Sequence, residues 1–107
     1  MIVVLGGMVM EIIKTFEGTI LKVALVGRLD TLTAPELEKE MSDALENVTE
    51  LNFDFKELDY ISSAGLRVLL IIQKAMNKKG NMTIYNVSDQ VLEVLDITGF
   101  IDILTVK

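Results

Sequence analysis

No cysteine and no histidine occurs among the 107 residues of this chain. Those two absences exclude a disulfide framework, a zinc site of the usual ligands, and Cys-His or Ser-His nucleophilic pairs. Most hydrolytic chemistry goes with them, so neither a catalytic residue nor a metal or other cofactor is expected. Positive charge is also scarce. Ten basic against sixteen acidic residues leave a net charge of −6, which repels phosphate backbones. Direct nucleic-acid binding is therefore not expected. The only strongly apolar terminus, residues 1–10, is too short to span a bilayer and lacks the basic flank and cleavage site of a signal peptide. Membrane insertion is not expected either, and a cytoplasmic location is.

What is present is the material of one folded domain. The apolar share of 50% is high for a globular chain and the charged share of 24% ordinary. A chain of this length buries roughly 60 to 70% of its unfolded surface, enough for one core. Three methionines in the first ten positions, Met1, Met8 and Met10, leave two readings of residues 1–10: an apolar leader or an extra edge strand. The domain proper is expected over residues 11–107.

Along that stretch, residues 12–16 and 19–26 are β-branched and apolar, with Glu17-Gly18 between them as a turn, which predicts an antiparallel hairpin. The periodicity breaks over 27–32. Thr33, Pro35 and Glu36 then have the spacing of a capping box with proline in the first turn, so a helix is expected to start at Thr33. Its inward stripe is Leu37, Met41, Ala44, Leu45 and Val48, with Glu36, Glu38, Lys39, Glu40, Asp43 and Glu46 in solvent. Residues 51–55 alternate as a strand, 56–59 read as a polar connection, and 66–79 as a helix stopped by Lys78-Lys79-Gly80. Its 68–72 run is broader than an amphipathic stripe and implies deep packing or an apolar face for a partner. A strand over 81–87, a helix capped by Ser88 and ended by Thr98-Gly99, and a short turn and strand over 100–106 complete the pattern. Strands alternating with helices predict a small α/β domain.

Chemistry concentrates at Asp59-Tyr60-Ile61-Ser62-Ser63-Ala64-Gly65-Leu66-Arg67. Ser62 or Ser63 can serve simply as an N-cap. A hydroxyl at a helix start is also hospitable to a phosphate, because free amides and the positive end of the helix dipole lie there. Gly65 would keep bulk away from such a group. Phosphorylation would add about −1.5 to −2 charges without melting the helix.

The segments Gly27-Arg28-Leu29-Asp30-Thr31-Leu32-Thr33-Ala34, Leu51-Asn52-Phe53-Asp54-Phe55 and Asp59 to Leu70, with Gly80 and Ile97-Thr98-Gly99-Phe100 at the right spacing, resemble the anti-sigma factor antagonist family, a stand-alone STAS domain. The resemblance implies a mixed four- to five-stranded sheet with helices packed mainly on one face. It implies that Ser63, with Ser62 as second choice, is phosphorylated by an anti-sigma factor serine kinase and reset by a serine phosphatase. It places Asp30, Thr31, Ser62, Ser63, Gly65, Leu66 and Arg67 at the partner-binding surface. Many members carry Asp where this chain has Ser62. Asp30 matches a loop aspartate that either docks a partner or bonds to its own turn, and Asp54 the acidic residue of the central strand. Family members usually continue into a C-terminal helix beyond the last strand; with the sequence ending at Lys107, residues 2–5 are expected to pack on the main body in partial compensation.

Two rivals remain at this level. One is a non-phosphorylated STAS adaptor subunit of a membrane transport ATPase or sensory scaffold, docking through residues 67–74. The other is a response-regulator-like domain phosphorylated on Asp54, whose chemistry needs an acidic pair for magnesium where residues 27–32 offer a single aspartate.

Overall fold

The computed structural model describes residues 2–5 and 8–107, with side chains from Met10 onward. Five strands form one mixed sheet in sequential order: β1 (Ile2–Leu5), β2 (Met8–Glu17), β3 (Ile20–Leu29), β4 (Glu50–Ile61) and β5 (Asn81–Tyr85). Helices α1 (Ala34–Ala44), α2 (Ser63–Asn77) and α3 (Asp89–Ile97) follow β3, β4 and β5, and a 3-10 turn covers Phe100–Asp102.

β2 and β3 pair antiparallel across a tight turn at Gly18, whose φ of 63° lies in the left-handed region. β3, β4 and β5 run parallel. Parallel neighbours need crossover connections, which are right-handed. Since both crossovers advance the same way along the sheet, α1 and α2 cover the same face. Beneath them lie Leu21, Val23, Leu25, Leu51, Phe53 and Phe55, all buried. Phe53 and Phe55 meet with ring centroids 5.7 Å apart in a tilted pair, a geometry the ring quadrupoles favour.

Residues 2–5 form β1, and residues 8–10 extend the first strand of the hairpin as the start of β2. β1 pairs antiparallel with β2, Ile2 opposite Glu11 and Leu5 opposite Met8. The backbone of residues 2–5 thus lies along the sheet edge; the side chains of residues 1–9, and with them the expected packing on the body, lie outside the described set.

Four local expectations are corrected. β3 does not break at Gly27 but continues to Leu29, and the expected connection 56–59 belongs to a twelve-residue β4. Two register shifts, between Ala24 and Val26 and between Gly27 and Arg28, each place an extra β4 residue against β3. An inserted residue defeats strict alternation, and the buried positions become Phe55, Leu58 and Ile61, three apart. The helix after β4 starts at Ser63, three residues before the expected Leu66. The last strand is reduced to a single parallel bridge from Val106 to Ile84.

α1 buries Leu37 and Met41, while Leu45 and Val48 are buried beyond its end. Its capping box does not form. Thr33 occupies the N-cap position without a side-chain cap; its hydroxyl oxygen accepts from the Asp30 amide at 2.9 Å instead of a first-turn amide and donates to the Arg28 carbonyl at 2.7 Å. At the other end, the Lys79 ammonium donates to the Leu45 carbonyl, satisfying an orphan acceptor of the helix terminus. α2 buries Val68, Leu69 and Ile72, while Ile71 remains 42% exposed, so the broad apolar run is mostly core.

Lys14 of β2 reaches Glu40 of α1 at 2.7 Å. The hydrogen bond from Lys14 holds the Glu40 carboxyl below its ordinary value. A carboxyl depressed in the folded state contributes stability above its unfolded pKa, and that contribution disappears as pH falls through the folded value. Lys14→Met is therefore expected to reduce stability slightly at pH 7 and not at pH 3, measured by urea unfolding at both.

Candidate functional site

The candidate site is the start of α2 where it abuts the end of β3. The Ser62 amide donates to the Leu29 carbonyl at 2.9 Å, which docks the helix start onto the strand. Ser62 is the N-cap: its φ of −101° and ψ of 175° are extended, and its hydroxyl accepts from the Gly65 amide at 3.4 Å. Ser63 is the first helical residue and is exposed. Its hydroxyl has no intramolecular hydrogen-bond partner among the described residues. The two serines are thus divided in role, one spent on the backbone and one offered to solvent.

Gly65 answers to packing, not to a ligand. It is buried, and a Cβ there would stand 2.8 Å from Leu29 Cγ, 2.9 Å from the Leu29 carbonyl oxygen and 3.0 Å from Ile61 Cγ1. The expectation that Gly65 clears space for a phosphate is corrected accordingly: the glycine lets the helix lie against β3. Leu66, 4% exposed, points into the core. Neither residue offers a side chain to a partner.

Asp30 is also inward, 8% exposed. Its Oδ1 accepts from the amides of Leu32 at 3.0 Å and Thr33 at 3.1 Å, and its own amide donates to the Thr33 hydroxyl at 2.9 Å. This closed set of bonds shapes the loop between β3 and α1, the self-bonding alternative for this aspartate. Asp30→Ala would leave two amides without their acceptor, each costing about 1–3 kcal/mol where buried. We expect a loss of about 2 kcal/mol in urea unfolding, with Asp30→Asn, which keeps an acceptor oxygen, losing less than half of that.

Bracing the loop in this way presents Thr31 to solvent. Thr31, Ala34, Pro35 and Glu38 face Ala64 and Arg67 across a shallow groove between α1 and α2. Of the expected set, Thr31, Ser63 and Arg67 are exposed; Thr31 and Arg67 line this groove, and Ser63 directly precedes Ala64, which lines it too, while Asp30, Gly65 and Leu66 are buried. Arg28 and Tyr60, absent from the expected set, adjoin this loop. The Arg28 guanidinium lies 4.1 Å from the centre of the Tyr60 ring, and its Nε 3.7 Å from Asp30 Oδ2. Their only signal is the pairing of Arg28 with Tyr60, which emerges once both bulges are known.

Asp54 is separate from this surface. Its Oδ1 accepts from the Lys56 amide at 3.0 Å and the Asn86 side-chain amide at 3.1 Å. It ties the first β4 bulge to the chain leaving β5, where Asn86 takes a positive φ of 60°. No group of three acidic residues able to hold a cation surrounds it among the described residues.

An antiparallel hairpin feeding a right-handed β-α-β-α-β run, with the first crossover loop braced beside the second helix start, defines a small mixed-sheet domain of the STAS type. The chain belongs to the STAS domain family, whose model matches residues 11–107. It is 29% identical over 88 residues to the anti-sigma-B factor antagonist of Bacillus subtilis (strain 168), covering 81% of each chain. BtrV of Bordetella bronchiseptica is 34% identical over 84 residues, covering 77% of this chain and 72% of BtrV. Among solved structures, the unphosphorylated form of the anti-sigma factor antagonist SpoIIAA matches with a TM-score of 0.79 at 19% identity, covering 91% of this chain and 88% of that one. The phosphorylated form of SpoIIAA from Bacillus matches at 0.71 and 18% identity, covering 91% of each. At such identities the structural likeness concerns the fold. Among the described residues, no helix is long and apolar enough to cross a membrane.

Proposed function

We propose that this chain is an anti-sigma factor antagonist whose binding is switched by phosphorylation of Ser63. In the dephosphorylated state the exposed start of α2, with Ser63 and Arg67, and the loop carrying Thr31 dock onto an anti-sigma factor that is also a serine kinase. Docking frees the sigma factor. The kinase transfers the terminal phosphoryl group of ATP to Ser63 Oγ, the hydroxyl proton passing to a base on the kinase. A serine phosphatase removes the phosphate by hydrolysis and restores the binding form.

The observation that carries this reading is the exposed, unpartnered hydroxyl of Ser63 in the first turn of α2, beside a serine already occupied as the cap. First-turn amides lack intrahelical acceptors, and a dianion placed among them is favoured by the dipole. The modification is therefore compatible with the fold while changing the docking surface. Serine in place of aspartate at position 62 leaves this arrangement intact, since both are good N-caps. The family of this chain and the names of its relatives, one of which is known in phosphorylated and unphosphorylated forms, support the same reading.

Incubation with the cognate kinase and ATP, followed by peptide mapping by mass spectrometry, tests the assignment. One phosphate on Ser63 is expected, and Ser63→Ala should abolish incorporation while Ser62→Ala retains it. Incorporation that survives in Ser63→Ala would move the switch elsewhere.

A further inference from the structure

Residues 89–102 hold four carboxylates, Asp89, Glu93, Asp96 and Asp102, and no Lys or Arg. Among the described residues the ion pairs join Lys14 to Glu40, Lys22 to Glu17 and Arg28 to Asp30, so none of these four is neutralised. Asp89, Glu93 and Asp96 are spaced to lie along one face of α3, where like charges four residues apart repel. Asp96 also sits near the negative end of the helix dipole. Asp89, in the first turn, is favoured by the helix dipole, but local helix energetics do not account for Glu93 and Asp96.

The same surface is apolar. The inner face of α3 is already spent, with Val91 and Leu95 in the core, yet Leu92 in the acidic groove is 38% exposed and Ile97, outside the groove lining but next to Asp96 in the chain, is 76% exposed. Leu92 and Ile101 line a groove together with Asp89, Glu93 and Asp96. α1 provides the contrast. It carries Glu36, Glu38, Glu40 and Asp43, but Lys39 lies among them and it exposes no large apolar side chain. Acidity alone is ordinary solvation; acidity around exposed aliphatic side chains is a docking pattern.

We propose that α3 and the 3-10 turn after it form a second docking surface, for a Lys/Arg-rich amphipathic helix of a partner protein. Its aliphatic stripe would cover Leu92, Ile97 and Ile101, and its cations would pair with Asp89, Glu93 and Asp96. Charge selects this occupant: a second copy of a chain with net charge −6 would bring carboxylates against carboxylates, and anionic lipid would be repelled for the same reason. The surface shares no residue with the Ser63 site and does not depend on that assignment.

The test titrates the isotopically labelled full chain at 150 mM salt with a synthetic helical peptide of leucine on one face and lysine on the other, followed by amide chemical shifts. Shifts are expected over residues 89–103. Ile97→Ser and the pair Glu93→Lys with Asp96→Lys should each weaken binding at least tenfold, and the high exposure of Ile97 keeps the first of these folded, as circular dichroism will verify. Shifts spread equally over α1, or an affinity unchanged by Ile97→Ser, would overturn the proposal. So would a dimer in sedimentation that Ile97→Ser dissociates, since a second copy would then be the occupant.

Discussion

Ser63→Asp is expected to weaken binding to the anti-sigma factor by about two to three orders of magnitude, with Ser63→Ala within a few fold of the unmodified protein. Like-charge juxtaposition and the desolvation of a new carboxylate at an interface cost several kcal/mol. A penalty of about 3 to 4 kcal/mol corresponds to that loss in affinity, since each 1.4 kcal/mol is tenfold. The substitution should not harm the fold. Ser63 is exposed in the first turn of α2, where a negative side chain is favoured by the helix dipole. The signature is therefore loss of binding at unchanged or slightly raised Tm, read by isothermal titration beside thermal unfolding. A falling Tm would indicate damage to the helix start instead of a switch.

Gly80→Ala is expected to destabilise the domain more than Asp30→Ala or any change at Ser63, though it lies away from the site. A Cβ on Gly80 would stand 1.7 Å from the Thr49 carbonyl oxygen, 2.6 Å from its carbon and 3.0 Å from the Thr49 Cα. All three atoms are backbone, so no rotamer change relieves the clash. Thr49 is also held on both sides. Its carbonyl accepts from the Asn81 amide at 3.1 Å and its amide donates to Thr19 at 2.9 Å, joining the starts of β3, β4 and β5. Relief requires parting these strand starts. We expect a loss of at least about 3 kcal/mol, the upper end of overpacking costs, and a fall in Tm of more than about 10 °C for a domain of this size. Gly18→Ala is the control. It has a positive φ but nothing within 4 Å of the added methyl, so it costs only about 1 kcal/mol of backbone strain.

Much of this fold can be read from residue pattern. The hairpin around Gly18, the capped α3 and the stop at Gly80 follow from local turn and cap chemistry, which depends on neighbours in sequence. What escapes is set by neighbours in space. Lys56, Glu57 and Asp59 suggest a loop because alternation fails there, yet β4 continues since β3 lies alongside it and two bulges absorb the irregularity. Thr33 has the spacing of a capping residue, but its hydroxyl oxygen accepts from the Asp30 amide across the loop instead.

The site divides along the same line. That a serine at the start of a helix is exposed follows from its place in the motif. Which serine caps and which is free depends on the rotation of the first turn, and that is set by Gly65 lying against Leu29. Asp30, Gly65 and Leu66 belong to the motif for what they hold in place. Their burial separates support from contact, and it narrows the proposed docking surface to Thr31, Ser63 and Arg67.

The central claim is that the dephosphorylated chain displaces a sigma factor from its anti-sigma factor. The direct measurement starts from the preformed complex of the two, with fluorescently labelled sigma factor, and titrates in this protein in its dephosphorylated and its Ser63-phosphorylated forms. The dephosphorylated form should release the sigma factor stoichiometrically, and the phosphorylated form should need at least a hundredfold higher concentration. Sigma factor that stays bound at saturating dephosphorylated protein, or equal release by both forms, would contradict the account.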